Sequence, residues 1–364
     1  MQETVARDKF HCPTCGAEAH WNPAKQALVC PYCGTLAPAV QNTDTGTIEE
    51  HDLVKALREI PDEDRGWKAE KISVKCQSCQ AISVFDPAHV AQRCDFCGSA
   101  QLVPYEQTRA PIRPESLLAF KVTEPAVRET LRTWYGNRWL APNRLKSRAL
   151  TDTVRGVYIP YWTFDAHVDA TWTAESGYYY YETEQYRDQS GNTLSRRVQR
   201  IRWEPSSGAL KHFFDDALVP GTRGVDEALL RQVEPFPTQE LVPYEPGFLA
   251  GWVVEQYQVD LRAAAQHSRE AMDREVRDLC VRQVPGDTQQ NLQVHTDYSG
   301  QTFKHVLCPI WVLTYVFGTR SYQVIVNGYT GKISGNYPKS WVKVFFLILA
   351  IAGVAMIAAS LARR

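Results

Sequence analysis

Apolar positions recur along this chain with two periods, and each period predicts its own kind of element. Leu261, Ala265, Ser268, Met272, Val276 and Leu279 fall on one stripe at helical spacing, which predicts the longest helix of the body. Leu53, Val54, Leu57 and Ile60 repeat the spacing over a shorter stretch. Thr47 and Glu50 precede them in the N-cap and N3 positions of a capping box, and Pro61 follows as a stop. The stretch TEPAVRETLRTWYGNRWLAPNRLKSRAL predicts two helices broken near Gly136 and Pro142.

Other runs alternate or are wholly apolar. GVYIPYWTFDAHV and KHVLCPIWVLTYVF read as strands, and Val157, Pro160, Trp162 and Phe164 of the first answer Val306, Pro309, Trp311 and Leu313 of the second, a weak internal duplication. Proline cannot donate to a central ladder, so each strand is expected to bulge or to lie at an edge there. Residues 178–181 and 198–203 predict further strands. SYQVIVNGYTGKISG predicts a strand, a tight turn at Asn327-Gly328 or Thr330-Gly331, and a returning strand. Residues 153–338 are thus expected to form a β-rich α+β domain with one long helix.

The pattern changes again at the end. Residues 344–362 are apolar or small and carry no charge. As a helix they would span roughly 28 Å, about the hydrocarbon thickness of a bilayer. Tyr337 and Trp341 stand where interfacial aromatics belong, and Lys339 and Lys343 flank the near side. A single C-terminal transmembrane helix is expected within residues 339–364. Arg363 and Arg364 close its far end, so local charge leaves the orientation open.

Eight of the ten cysteines fall into C-x-x-C pairs. Cys12, Cys15, Cys30 and Cys33 are spaced C-x2-C-x14-C-x2-C, and Cys76, Cys79, Cys94 and Cys97 repeat that spacing 64 residues later. Trp21 answers Phe85, Asn22 answers Asp86, Pro23 answers Pro87, and Gly34-Thr35 answers Gly98-Ser99, so the segment is duplicated. Two such knuckles complete a tetrahedral sulfur site with Zn–S near 2.3 Å. Four sulfur ligands leave no open position for water, so two structural Zn²⁺ are expected, each contributing about 10 kcal/mol or more to folding. His11 and His20 lie beside the first set, which is already complete without them. Paired cysteines hold metal in a reducing cytosol, and the N-terminus lacks an apolar signal-peptide core, so the body is expected in the cytoplasm. Cys280 and Cys308 have no such partners and read as small buried apolar residues.

Charge narrows the use of these ribbons. Forty Lys and Arg against 41 Asp and Glu give a net charge of −1, and neither ribbon is a basic patch, which weighs against phosphate binding. Arg128, Arg132, Arg138, Arg144, Lys146 and Arg148, interleaved with Trp134, Tyr135 and Trp139, are the one basic-aromatic segment. It could meet single-stranded nucleic acid or an anionic membrane, or bury its aromatics under a domain, and the last is the favoured reading. No catalytic constellation stands out. NGYTGKIS has Val326 in place of the first glycine of a phosphate loop and Ile333 after Lys332. Asp165, His167 and Asp169 alternate with Trp162, Phe164 and Val168 as the solvated face of a half-buried strand would.

The paired ribbons, QSCQAISVFDPAHVAQRCDFCGS with VPYEQTRAPIRPESLL, GVYIPYWTFDA, LVPYEPGFLAGW and YQVIVNGYTGKISGNYPKSW together resemble a bacterial double zinc-ribbon family of the YdjG type. That family carries the label "primosomal protein N′ (replication factor Y) superfamily II helicase-like", although this chain lacks the phosphate loop such an ATPase needs. The resemblance implies a membrane-anchored companion of SPFH (band 7) proteins and of PspA-like stress proteins, in which the ribbon protein helps bring a soluble SPFH partner to the membrane. The expected organisation is a first ribbon (1–45), a linker helix (46–70), a second ribbon (71–105), a linker with basic-aromatic helices (106–152), the α+β domain (153–338) and the tail anchor (339–364). The expected function is a non-enzymatic adaptor binding protein partners at the bacterial inner membrane, its bulk facing the cytoplasm. The alternative is a membrane-tethered nucleic-acid-binding or helicase-accessory protein.

Overall fold

Three unusually long strands set the architecture of the chain. The computed structural model describes residues 10–36, 48–59, 65–67, 71–85, 92–105, 111–142, 154–187 and 193–361. The first cysteine segment forms a hairpin of its own, β1 (His20–Asn22) and β2 (Ala27–Val29). β3 (His51–Asp52) runs directly into α1 (Leu53–Arg58), and the second cysteine segment holds β4 (Ile72–Cys76), β5 (Ile82–Phe85) and β6 (Leu102–Pro104). After β7 (Ser116–Leu117) and α2 (Glu124–Gly136) come β8 (Arg155–Arg187) and its return β9 (Thr193–Pro220). α3 (Glu227–Val233), β10 (Val242–Pro243), β11 (Val253–Gln256) and α4 (Leu261–Gln283) lead to β12 (Thr288–Phe317). β13 (Arg320–Asn327), β14 (Ile333–Gly335) and α5 (Trp341–Leu361) complete the chain. The molecule is a sheet-rich α+β protein.

β8 and β12 run antiparallel through the centre, with Ile159 opposite Cys308. Each changes its outer neighbour at its proline. β8 pairs in parallel with β11 at Val157 and Tyr158, then in antiparallel with β9 from Tyr161 onward. β12 pairs in parallel with β7 at Val306 and Leu307, then in antiparallel with β13 from Ile310 onward. Pro160 and Pro309 stand at the two changeovers, where no ladder bond is asked of their missing N–H. Their carbonyls accept from equivalent glycines, Gly221 N and Gly328 N, each at 2.8 Å. The weak sequence duplication is therefore an approximate two-fold axis between β8 and β12. The prolines lie inside the sheet, contrary to the edge or bulge expected of them, because a strand that exchanges partners has a position with no donor to satisfy.

Alternation along these strands feeds three cores. Tyr158, Leu307, Trp311 and Leu313 face α2 and a ring cluster around Phe120, whose ring stacks on Trp252 at 4.1 Å. Val157, Ile159, Tyr161, Val306, Cys308 and Ile310 face the other way, against Leu229, Leu230 and Val233 of α3. Further along, Phe164, Val168, Ala170 and Trp172 pack under α4. Both faces of the central stretch are covered, which is why its sequence reads as a continuous apolar run.

Several expectations change in detail. α1 is capped by Asp52, whose Oδ1 accepts from Lys55 N at 2.7 Å. Glu50 instead reaches Lys304 Nζ at 3.2 Å, because the pairing of β3 with β12 keeps the chain extended up to Asp52. Thr47, Ile60 and Pro61 lie outside the described residues. The buried stripe of α4 is Leu261, Ala264, Ser268, Met272, Val276 and Cys280, with Ala264 and Cys280 in place of Ala265 and Leu279. α2 forms as expected, whereas the second basic helix, with Arg144, Lys146 and Arg148, lies outside the described residues. At the β13–β14 turn Gly331 takes the left-handed conformation, with φ +77°.

The end of the chain is helical over Trp341–Leu361. Among the described residues no helix is long and apolar enough to cross a membrane. Within α5 the side chains of residues 357 and 359–361 are not among those described. The described ones are open to their surroundings: Phe345, Phe346, Ile351, Val354 and Met356 are all exposed. The base of the helix is pinned to the body, with Ser340 N donating to Leu140 O and Lys343 Nζ to Trp139 O and Ala141 O, each at 2.8 Å.

Candidate metal centres

All eight paired cysteines converge as the spacing requires. Cys12, Cys15, Cys30 and Cys33 form one group, Cys76, Cys79, Cys94 and Cys97 the other, and within each the sulfurs lie within 4.8 Å of one another. Cys12–Cys33 and Cys15–Cys30 are 3.4 Å apart, Cys76–Cys97 3.5 Å and Cys79–Cys94 3.6 Å. Four sulfurs at about 2.3 Å from a tetrahedral ion would stand about 3.8 Å apart, so both donor sets fit zinc. These are sites for two structural zinc ions. His11 and His20 stay outside both groups, and His11 Nδ1 bonds Gly16 O at 3.1 Å.

Local backbone chemistry explains why each C-x-x-C presents two sulfurs to one point. In all four knuckles the residue four after the first cysteine turns back to bond that cysteine's carbonyl: Gly16, Gly34, Gln80 and Gly98 donate at 2.9, 3.0, 2.9 and 2.8 Å. All four have φ between +65° and +73°. Glycine takes that conformation freely, whereas Gln80 carries a Cβ there. The glycines after the knuckles were the sequence signal for this turn, and the Gln80 exception shows only in the backbone. Beside the first site, the Thr35 side chain, with the Thr35 backbone next, lowers the Cys33 thiol to about 6 and favours the thiolate a metal needs.

The two sites differ in how the fold holds them. The second ribbon belongs to the main sheet: β5 pairs with β11, β4 lies between β5 and β6, and Cys76 and Cys94 are buried. Phe96, between two of its ligands, is fully buried and its carbonyl accepts from Thr314 Oγ1. The first ribbon is docked from outside. Trp21 packs on Phe248 at 4.5 Å, Trp21 N donates to Ala250 O at 3.1 Å, and Gln26 Nε2 donates to Phe120 O at 2.8 Å. Its outer edge is open, with Cys15 and Cys33 exposed and Tyr32 at 83%.

Other residues raised by the sequence resolve into packing. Trp134 and Tyr135 are buried, and the Arg138 guanidinium lies 3.5 Å over the Trp134 ring, so this part of the basic-aromatic segment is turned inward, with Trp139 exposed. His167 and Asp169 are on the exposed face as expected, but Asp165 is buried. Its Oδ1 accepts from Asp216 N at 2.6 Å and its Oδ2 from Thr302 Oγ1 at 2.8 Å. Lys304 Nζ, 2.7 Å from Asp216 and 3.2 Å from Glu50, closes the cluster and ties the segment between the ribbons to the sheet. Burial raises the Asp165 pKa. Nothing in the spacing of these residues announced the cluster, because it depends on the bulge between Phe164 and Ala166. Cys280 and Cys308 are buried apolar residues, as read from the sequence.

Fold and site together define a sheet-built protein with two four-cysteine metal centres. It is similar to the uncharacterized protein YdjG of Bacillus subtilis (strain 168), 22% identical over 256 residues that cover 69% of this chain and 71% of YdjG. No protein-family model matches the chain, and no solved structure matches it.

Proposed function

We propose that this protein is a non-enzymatic adaptor that binds protein partners at the bacterial inner membrane, with α5 as its anchor and its bulk in the cytoplasm. The observation that carries the reading is the pairing of two closed four-sulfur sites with an apolar helix that leaves Phe345, Phe346, Ile351 and Met356 exposed. A closed tetrathiolate site offers no position for a reacting water, so each ion serves as a staple for a docking surface. An exposed apolar run on a helix pinned to the body at its base has the character of a segment that belongs in lipid. Paired thiolates persist in a reducing compartment, which favours the cytoplasmic side for the body. The family resemblance suggests an SPFH (band 7) or PspA-like stress protein as partner.

Fractionation of cells expressing the full chain and a chain ending at Lys339 tests the anchor. The full chain should stay with membranes through alkaline carbonate and the shorter one should be released with both zinc ions; release of both rejects the anchor. Crosslinking in native membranes tests the adaptor role, which fails if no protein adduct recurs.

A further inference from the structure

Of the ten tryptophans in the chain, two stand more than half exposed, Trp139 at 56% and Trp341 at 84%. The fold brings them to the same place. Trp139 lies in the turn that follows α2, closed by Ala141 N on Arg138 O at 3.0 Å, and its own carbonyl accepts from Lys343 Nζ in the first turn of α5 at 2.8 Å. Leu140 O accepts from Ser340 N at 2.8 Å, directly before Trp341. On the inner side of the junction the Arg138 guanidinium lies over the rings of Trp134 and Tyr337, at 3.5 and 5.4 Å. The turn is thus fastened to the base of α5, with Trp134 buried beneath it and Trp139 left outside.

We propose that the turn at residues 137–141 is a second membrane contact, with the Trp139 ring seated among phospholipid headgroups beside Trp341. The inference rests on the reading of α5 as the anchor. If the residues from Val344 onward stand in hydrocarbon, the first turn of α5 stands at the headgroup layer, and a residue bound to Lys343 through its carbonyl stands there with it. Indole suits that layer, because its ring leaves water while its N–H still finds an acceptor. A lysine at the near end of an anchor ordinarily extends its amine to the phosphates. Here the Lys343 amine is bound by the Trp139 and Ala141 carbonyls, so the hold on the interface passes to the tryptophan ring.

Charge favours a lipid surface as the occupant. Residues 137–142 and 337–343, which meet at the junction, carry Arg138, Lys339 and Lys343 and no acidic residue. Residues 130–151 have no Asp or Glu, and after Asp297 the chain has none at all. Neither segment brings a negative charge to a layer of phosphates, and Lys339, exposed two residues before Trp341, is placed to meet one. The contact has a mechanical consequence. A helix crossing alone leaves the body free to turn over the bilayer, whereas a second foothold at Trp139 keeps one side of it toward the lipid.

Tryptophan quenching in vesicles tests this. The zinc-loaded full chain is reconstituted into phosphatidylcholine and phosphatidylglycerol whose acyl chains carry bromine either next to the headgroup or near the bilayer centre, and carbonate extraction first establishes incorporation. Bromine next to the headgroup should quench the more strongly. Trp139→Phe and Trp341→Phe should each remove about half of that quenching, since these are the two rings placed at the interface. Zinc content and circular dichroism show that each variant is folded. A chain that does not incorporate overturns the anchor and this contact with it. An incorporated chain whose quenching is unchanged by Trp139→Phe overturns the contact alone and leaves the Trp139 surface to a protein partner. A Trp139 share that is larger with bromine at the bilayer centre also overturns it, because the ring would then lie below the headgroups.

Discussion

Pro160 and Pro309 lie on neighbouring antiparallel strands, each at the residue where its strand exchanges a parallel neighbour for an antiparallel one. Their carbonyls are closed by Gly221 and Gly328, the residues that directly follow the two returning strands. The near-symmetry predicts an asymmetric response to the same substitution. A Cβ on Gly328 would stand 2.6 Å from the Phe120 ring and 2.9 Å from Pro309, whereas on Gly221 the nearest atoms are at 3.2 Å. Gly328→Ala should therefore cost about 2–3 kcal/mol and Gly221→Ala less than about 1.5 kcal/mol. Urea denaturation followed by tryptophan fluorescence ranks the two, and equal losses would count against the proposed packing.

Gln80 is the non-glycine among the four knuckle turns, with φ +65°. Gln80→Gly should stabilise the second ribbon by about 1 kcal/mol through relief of the left-handed strain, less whatever the Gln80 Nε2 bond to Gln77 O supplies. The measurement is the rate of zinc loss to a chelator, which should slow; a faster loss would show that the side-chain bond outweighs the backbone.

Removing the two metals should have unequal effects. The second ribbon is woven into the main sheet and the first is docked on its surface. Cys12→Ser should lower zinc from two to one per chain and leave a cooperative unfolding transition shifted by several degrees. Cys76→Ser should abolish that transition, because a site contributing about 10 kcal/mol exceeds what most domains have to spare. Metal analysis with calorimetry separates these outcomes.

Two buried groups give opposing pH dependences. His305 stacks on Trp162 at 4.8 Å, and burial pushes its pKa from 6.5 down to about 4. Below pH 6.5 the unfolded chain takes a proton that the folded one refuses, so this contribution is full above 6.5 and lost as pH falls toward 4. Burial pushes Glu255 from 4.5 up to about 7. Above pH 4.5 the unfolded chain releases a proton that the folded one keeps, so stability falls as pH rises toward 7. Each effect is on the order of 3 kcal/mol, and in the wild-type chain they nearly cancel between about pH 5 and 7. Glu255→Gln should make stability rise with pH across that window, and His305→Gln should make it fall. Urea midpoints at three pH values decide the signs.

The metal ligands were legible because C-x-x-C spacing is local: a knuckle brings two sulfurs together through its own turn, whatever surrounds it. The apolar stripe of α4 was legible for the same reason, although Ala264 and Cys280 take the buried places expected of Ala265 and Leu279. The duplicated strands were visible as a repeat, and proline alone pointed to an edge.

What only the tertiary structure decided depends on which chain segments become neighbours. Pro160 is tolerated inside the sheet because β11 ends and β9 begins beside it. Asp165 is buried because Lys304 and Thr302, more than a hundred residues away, arrive to hold it and Asp216. The second ribbon became part of the body because β5 found β11. Sequence by itself determined the two zinc sites and the periodic elements, since those follow from bonds within a few residues. The partner of every strand, and hence the polar cluster and the two-fold axis, was set by long-range pairing that no local pattern encodes.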